Sequence, residues 1–419
     1  MSVLSRDRQD TAREQQCWSL GKVDPAATLT SVRFRATPYL LVMVVVALSA
    51  FSLNMVYSAT IAEHGSRLLV MQCIWMGVGV VAMFCGALFP LDKLYRNSLW
   101  GVVAVGIVLF YLTIAFAASR VDLLHLCPFA HESKGAVRWL RFAVGSFSIQ
   151  IQPSEFAKPL LLIFLAAYYG RVPRARIKQF VPGVLIPGGV AALILGFIFL
   201  GKDLSTTVIT ASMAMGIMFL AGVRIRTLII IITVACMLLA AAILQSPMRV
   251  RRMTAFREPE KNKLNESYQL YRSLLCLGGG GTTGSGYSQG VMKSYLPEAH
   301  TDFIVAVIGE EFGIVGVYGV IGAYLLLCTG IYCIAQNCRR REDLLLCLGI
   351  VILIFVQAFV NISVVSGFCP PTGVTAPFLS YGGSSIMSLA FMVGMVLNVH
   401  RRNAAAIQEE LYNQRYTIA

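Results

Sequence analysis

Long apolar segments alternate with short polar connections along most of this chain. The hydrocarbon core of a bilayer is crossed by about 20 helical residues, and only helices or closed barrels satisfy their own backbone polar groups there. Ten apolar runs reach or approach that length, so the pattern predicts ten membrane-spanning helices. Their expected bounds are 38–58, 68–90, 98–118, 154–170, 180–200, 204–221, 226–245, 302–336, 343–366 and 380–400.

Composition agrees with this pattern. Of the 419 residues, 57% are apolar and only 13% are charged, and the mean hydropathy is +0.70. So few charges on so long a chain leave most of the apolar surface facing lipid or other helices. We expect an all-α polytopic membrane protein with about ten transmembrane helices and two long extracytoplasmic loops. The 11 cysteines lie mostly inside apolar runs, where a thiol behaves as a small hydrophobic group, and none has metal-site spacing.

A net charge of +14 could indicate a nucleic-acid partner, but the positions of the basic residues indicate membrane orientation instead. Short loops such as 171–179 and 337–342 are rich in Lys and Arg, whereas the intervening short loops carry only Arg67 and Lys202. The positive-inside rule therefore places both termini in the cytoplasm. The expected organisation is a basic, largely disordered cytoplasmic tail (1–37), a membrane domain (38–402) with outer loops 119–153 and 246–301, and a cytoplasmic tail (403–419).

The segment from Ser294 to Phe303 concentrates ionisable groups at the entrance of an apolar run. It carries Glu298, His300 and Asp302. We expect the helix to begin near Thr301, which would place Asp302 in the first turn, where the unpaired amides favour a carboxylate. The alternative is that Thr301 and Asp302 only cap the helix, as these residue types commonly do.

Two other polar groups open predicted spans. Glu155 and Lys158 are three residues apart at the start of the fourth span, and Asp203 opens the sixth. Charges at a membrane helix end are costly unless they pair or line a wet cavity. The structural alternatives are a salt bridge with Lys158 extending to the interface, and a simple helix cap at Asp203.

Three loop segments have unusual composition. The second outer loop opens with a basic cluster suited to phosphate or to a solvated face, and a glycine-rich run spans Gly278 to Gly290. That run is not a dinucleotide fingerprint, because no strand precedes it; close backbone approach or a flexible gate explains the glycine better. The last outer loop, 367–379, is uncharged and Pro- and Gly-rich, and could close the site as a re-entrant turn.

Four blocks in order resemble the shape, elongation, division and sporulation (SEDS) family of bacterial membrane proteins, which includes RodA, SpoVE and FtsW. The likeness covers about residues 38 to 402, and the Leu296 to Asp302 block is more similar to the division and sporulation branch. Two positions depart from the family pattern: Ser205 follows Asp203-Leu204, and Thr372 stands where a lysine is frequent. The blocks are Lys134–Trp139 with Gln152–Lys158, Asp203-Leu204, Leu296–Phe303 with Gly309–Glu311, and Pro377–Ser385.

The resemblance implies a peptidoglycan glycosyltransferase in the bacterial inner membrane, with an extracytoplasmic active site. Its implied substrate is lipid II, the undecaprenyl-pyrophosphate-linked disaccharide-pentapeptide, and Asp302 matches the family's essential aspartate. The implied partners are a class B penicillin-binding protein transpeptidase and other division proteins. The candidate substrate-binding residues are Lys134, Arg138, Trp139, Glu155, Lys158, Asp203, Glu298, His300 and Ser380.

We hypothesise that Asp302 takes the proton from the acceptor's 4-hydroxyl during a single inverting displacement. Arg138, Lys158 and Lys134 are candidates for holding pyrophosphate, with a divalent ion (Mg or Mn) as an optional cofactor, and Trp139 either stacks on a sugar or anchors the interface. Three alternatives stay open: a flippase for the same lipid, an elongation-type polymerase, and a non-catalytic scaffold.

Overall fold

The computed structural model describes residues 32–120, 127–133, 136–144, 147–245, 250, 251, 253, 254, 256 and 267–417. The long helices are α1 (Val32–His64), α2 (Arg67–Leu88), α4 (Ser98–Ser119), α5 (Pro153–Arg171), α7 (Ile186–Leu200), α8 (Leu204–Ala221), α9 (Ile225–Leu244), α10 (Tyr268–Gly280), α11 (Ile304–Gln336), α12 (Arg341–Val365) and α13 (Gly383–Thr417). Shorter elements are α3 (Leu91–Arg96), α6 (Arg174–Ile177), a π turn (Val181–Leu185), a 3-10 turn (Met292–Tyr295), and strands β1 (Ala130–Ser133), β2 (Ala136–Val144) and β3 (Phe147–Ile151).

All ten predicted spans are helical. Within the residues that the structure describes, nine helices are long and apolar enough to cross a membrane. The predicted span 154–170 is the exception, because its helix α5 carries Glu155, Lys158 and Arg171 within 19 residues. That helix is buried among α4, α8, α12 and α13 rather than turned to lipid. The protein is therefore a polytopic helical membrane protein with a buried, charge-bearing helix at its centre.

The helices extend further than the sequence suggested at both ends of the chain. Helix α1 begins at Val32, inside the predicted tail 1–37, and α13 continues to Thr417, through the predicted tail 403–419. Helix α13 packs closely on α2 through two glycines: a Cβ on Gly86 would overlap the Phe391 carbonyl oxygen, and one on Gly394 would overlap that of Met83. Small residues of this kind let membrane helices approach each other.

The two ends of the bundle differ in charge. At one end Arg341 donates to the carbonyl oxygens of Ala221 and Val172, at 2.7 and 3.2 Å. Beside it Asp92 accepts from Arg340 at 2.7 Å and from Arg402 at 2.6 Å. The starts of α5, α8, α11 and α13 and the end of α12 lie at the opposite end, and they carry the candidate site residues.

The outer loop 119–153 contains a small antiparallel sheet that the sequence analysis did not predict. Strand β2 is central, with β1 and β3 as its neighbours. His131 pairs with Trp139, and Leu140 pairs with both Ala130 and Ile151. The sheet leads directly into α5, so it fixes Arg138 and Trp139 beside the start of that helix.

Helix α11 is interrupted near its N-terminal end, the end at which Asp302 lies. Gly313 has φ 63° and ψ −160°, a conformation that is essentially restricted to glycine. The glycine-rich run packs against the break: Ser285 N donates to Glu310 O and Ile314 N donates to Gly281 O, both at 3.0 Å. A Cβ on Gly284 would overlap the Glu311 carbonyl carbon. Close backbone approach therefore explains the glycine-rich run, and these bonds satisfy backbone groups that the interrupted helix leaves unpaired.

Candidate active site

Asp302 lies directly before α11, in a turn that spans Pro297 to Phe303. The helix begins at Ile304 with Phe303 at the N-cap position, so the prediction that Asp302 falls in the first helical turn is wrong. The reason is local: Glu298 has φ 58°, and the amides of Thr301 and Phe303 both point to its carbonyl oxygen. This tight turn delays the helix and leaves the Asp302 side chain half-buried rather than covered.

Side chains from two later segments fix the backbone around Asp302. Asn361, in α12, donates its amide to the Asp302 carbonyl at 2.8 Å and to the Val374 carbonyl at 2.6 Å. Ser380 donates to the Thr301 carbonyl at 2.5 Å and accepts from Ala376 N at 2.8 Å. Ser380 is only 3% exposed, so in this arrangement it holds the backbone instead of meeting a substrate.

The uncharged loop 367–379 lies over the Asp302 carboxylate, as its composition had suggested. A Cβ built on Gly373, whose φ is 75°, would stand 3.4 Å from Asp302 Oδ2. The loop is fastened from two further sides, because Ser205 donates to the Thr372 carbonyl and Ser52 donates to the Leu379 carbonyl. Asp302 thus faces a fixed glycine turn, not bulk lipid.

Glu155 and Lys158 form a buried ion pair at the start of α5. The Lys158 Nζ lies 2.7 Å from Glu155 Oε2 and 3.4 Å from Gln357 Oε1. Lys158 is 1% exposed, so the alternative in which it extends to the interface is wrong. Gln357 in turn donates to the Thr375 carbonyl at 3.0 Å, which connects this ion pair to the loop that covers Asp302.

Asp203 caps α8 and also joins it to α5. Its Oδ1 accepts from Thr206 N at 3.2 Å, while its Oδ2 accepts from Gln152 Nε2 at 2.7 Å and Ser154 Oγ at 3.2 Å. The helix-cap reading of Asp203 is therefore confirmed. Arg138 reaches the same turn, where it donates to the carbonyl oxygens of Gly201 and Lys202.

The structure brings most of the predicted site residues to one end of the bundle. His300 is half-buried, with its ring 5.6 Å from that of Tyr381, and Glu298 accepts from the Thr301 hydroxyl at 3.0 Å. Trp139 is half-buried on β2. Lys134 lies outside the described residues. So do most members of the basic cluster, which are Arg249, Arg252, Arg257, Lys261 and Lys263.

Three buried polar residues in the helices were not recognised from the sequence. Asn361 and Gln357, both 1% exposed, hold the loop over Asp302. Gln72, fully buried in α2, donates to Ser52 at 3.1 Å and to the Ser380 carbonyl at 3.3 Å. The available signal was their position in apolar spans, where polar side chains are costly and are retained for a partner.

The acidic residues of the site do not form a metal-binding cluster among the described residues. Throughout the part of the chain that the structure describes, no three His, Cys, Asp or Glu side chains lie together in a way that could hold a metal ion. The chemistry that the arrangement supports is proton acceptance by a partly exposed carboxylate whose backbone is held by Asn361 of α12 and by Ser380, just before α13.

Comparisons with known proteins identify the family of the chain. Residues 34–405 match a family model described as the FtsW, RodA and SpoVE cell cycle protein. The chain is 34% identical over 376 residues to the probable peptidoglycan glycosyltransferase FtsW of Trichlorobacter lovleyi, covering 87% of this chain and 94% of that protein. It is 37% identical over 298 residues to the protein of the same name from Haemophilus influenzae, covering 68% and 72%.

Solved structures share the fold as well. A chain from a structure described as the coordination of polymerization and crosslinking by a peptidoglycan synthase complex superposes with a TM-score of 0.70 at 26% identity, covering 87% of this chain and 97% of that one. The rod-shape-determining protein RodA of Thermus thermophilus gives a TM-score of 0.63 at 26% identity, with 87% and 96% covered.

Proposed function

The chain belongs to the FtsW, RodA and SpoVE family of cell cycle proteins, and from this membership we propose that it is a peptidoglycan glycosyltransferase that polymerises lipid II for the division septum. The relatives that are called FtsW, rather than RodA or SpoVE, favour the septal role. The observation that carries the catalytic part of the proposal is the placement of Asp302: the residue is partly exposed, while its backbone is fixed by Asn361.

In the proposed reaction Asp302 is the general base. It accepts the proton of the acceptor sugar's 4-hydroxyl as that oxygen attacks the donor's anomeric carbon. The new bond joins the 4-oxygen to this carbon, and the bond to the pyrophosphate oxygen breaks with its electron pair leaving on the pyrophosphate. A single displacement turns an α-linked donor into a β-linked product. General-base assistance of this kind contributes roughly 10² to 10⁴ in rate.

Hydrogen bonds to the backbone at Thr301 and Asp302 support this role for Asp302. The bonds from Asn361 to the Asp302 carbonyl and from Ser380 to the Thr301 carbonyl fix the carboxylate before substrate arrives. A base that is already in position avoids the entropic cost of assembling the reactive arrangement. Glu298 and His300 flank it on the same turn, and we assign them to the acceptor sugar.

Cations near the site would stabilise the departing pyrophosphate. We assign this role first to Arg138, whose side chain reaches the α7–α8 turn, and to Lys134, which precedes β2 in the sequence. Trp139, which follows Arg138 on β2, is assigned to a sugar face. Lys158 is fully covered by Glu155 and Gln357, so we assign it, together with Glu155 and Asp203, to shaping the substrate site; direct contact with pyrophosphate would require loop 367–379 to move.

The cellular setting is part of the same proposal. Basic residues gather at the end of the bundle opposite Asp302, and the positive-inside rule makes that end cytoplasmic. Both termini then lie in the cytoplasm and the active site faces outward, at the inner membrane of a bacterium. We further propose a class B penicillin-binding protein as the partner, since peptidoglycan synthase complexes couple polymerization with crosslinking in the structural relative.

The test is polymerisation of purified lipid II by detergent-solubilised protein, with the partner transpeptidase added and withheld. Glycan chains with β linkages are expected, and they must form although no bilayer has to be crossed. Absence of polymer in both conditions, with lipid translocation when the same preparation is placed in vesicles, would support the flippase alternative and overturn the proposal.

A further inference from the structure

Two adjacent glutamates inside membrane helix α11 have no part in the proposed chemistry. Glu310 is 4% exposed and Glu311 is fully buried. Ionisable groups within a membrane helix are costly and persist where they have a partner or a function. Both carboxylates turn toward one short segment, the 3-10 turn Met292–Tyr295, which precedes the loop that carries Asp302.

Glu310 holds the backbone of this turn. Its two carboxylate oxygens accept from Met292 N at 2.6 Å and from Lys293 N at 2.9 Å. The chain must pass very close to the carboxylate, since a Cβ on Gly290 would lie 2.8 Å from the Glu310 carboxyl carbon. Burial raises the pKa of the Cys276 thiol in α10, which therefore stays protonated beside Glu310.

Glu311 holds the side chain of the same turn. The Lys293 Nζ lies 2.5 Å from Glu311 Oε1 and 2.7 Å from Ser58 Oγ. The Ser58 hydroxyl donates to the same Glu311 oxygen. This buried ion pair therefore joins the 3-10 turn, the first membrane helix α1 and helix α11 at one point.

These contacts close a small loop around Asp302. Residues 294–303 run from the 3-10 turn to the start of α11, and Glu310 and Glu311 lie about two helical turns into that same helix. Both ends of the Asp302 loop are therefore fixed to one short stretch of α11, directly before its break at Gly313. A shift of the 3-10 turn relative to the helix would move the carboxylate of Asp302.

We infer that Lys293 and Glu311, assisted by Glu310, are positioning residues that set the place of the Asp302 carboxylate in the proposed polymerase. The inference rests on the proposed function. Neither residue meets the substrate; each acts by holding the ends of the 294–303 loop in register with α11. Because a displacement of about 1 Å can cost roughly 100-fold in rate, their loss should lower kcat far more than it changes KM for lipid II.

The experiment compares Lys293→Met with Glu311→Gln and with the double variant, in detergent, alongside wild type. Each single variant leaves a buried charge without its counter-ion and should unfold more readily. The double variant removes both charges, so its stability should return toward that of wild type. Its kcat should nevertheless stay about 100-fold low, with KM within about twofold.

Asp343→Asn is the matched control. Asp343 is fully buried and accepts from Tyr95 at 2.8 Å, but it lies about 27 Å along α12 from Asn361. Its variant should lose stability and keep the wild-type kcat for each folded molecule. Loss of kcat in this control equal to that in the double variant would assign the effect to general loosening and overturn the inference.

A double variant that folds and polymerises at the wild-type kcat also overturns it. If the double variant cannot be recovered, Glu310→Gln decides, because a neutral amide keeps one acceptor for the turn: a kcat about tenfold low supports positioning, and an unchanged kcat contradicts it. Wild-type protein without polymerase activity would instead count against the proposed function.

Discussion

Breaking the ion pair between Glu155 and Lys158 should destabilise the protein strongly, whereas removing both charges together should not. Lys158→Met leaves the Glu155 carboxylate in a site where its side chain is 10% exposed. Glu155→Gln leaves a lysine that is 1% exposed without its anion. In the double variant, the neutral Met and Gln side chains pack beside Gln357, and no isolated charge remains.

The structure sets the expected size of the effect. At the observed N–O separation of 2.7 Å, the attraction is about 6 kcal/mol with an effective dielectric of about 20. The cost of desolvating both ions offsets most of this attraction, so the intact pair adds little net stability. A buried charge that has lost its counter-ion costs about 3–5 kcal/mol. The free energy of unfolding should therefore fall by about 3–5 kcal/mol in each single variant and by no more than about 2 kcal/mol in the double variant.

Reversible unfolding in mixed detergent micelles measures these free energies, and the four proteins give a double-mutant cycle. The matched control is the exposed pair Arg339 and Glu410, 3.1 Å apart with side chains 37% and 43% exposed, where the same cycle should give less than about 1 kcal/mol. Single-variant losses at Glu155 and Lys158 that simply add in the double variant would show that the two side chains do not interact, and would refute the reasoning.

Gly373→Ala should cost about 1–2 kcal/mol through its left-handed backbone and lower kcat, since its methyl group would cover one face of Asp302; a polymerisation assay at matched folded concentration checks this. Gly313→Ala should fail to fold, because its Cβ would lie 2.5 Å from Gly284 N; normal yield in a size-exclusion profile would contradict it. Tyr95→Phe should cost about 1–3 kcal/mol by leaving Asp343 one donor short without changing kcat. Burial raises the pKa of Tyr95 well above its usual value, so this residue should lower wild-type stability above about pH 10, where it ionises only in the unfolded state. The Phe variant should therefore show a smaller loss of stability above that pH in unfolding titrations.

Hydrophobic length was sufficient to locate every long membrane helix. The length of the apolar run did not place α5 at the centre of the bundle, because helices that face lipid and helices that are buried in protein have similar apolar sequences. The tertiary surroundings of Lys158 decide this point: it is buried against Glu155 and Gln357, and so it does not extend to the interface as a lipid-facing lysine would.

The sequence also predicted the acidic residues of the site, but it did not predict the residues that hydrogen-bond to the segments around them. Asp302, Glu155 and Asp203 stand out as charges at helix starts. Asn361 and Gln357, by contrast, act on residues far away along the chain, and no local spacing links them to Asp302. The three-residue error in the start of α11 has a similar origin, since it depends on the left-handed conformation of Glu298.

The sheet in the first outer loop was missed for a different reason. Its central strand, Ala136–Val144, contains charged and aromatic residues among apolar ones. The charged residues are equally consistent with substrate binding, so the pattern does not identify a paired strand. The pairing of Leu140 with both neighbours depends on how the loop folds back on itself. A single strand-length pattern does not specify such a partner.

The most direct test of the central claim is the turnover of Asp302→Asn with purified lipid II. The amide preserves the size of the side chain and leaves the bonds from Asn361 and Ser380 to the backbone in place, so folding and lipid II binding should match wild type. The kcat should fall by roughly 10² to 10⁴ if the carboxylate accepts the hydroxyl proton. Polymerisation by Asp302→Asn at the wild-type rate would contradict the account.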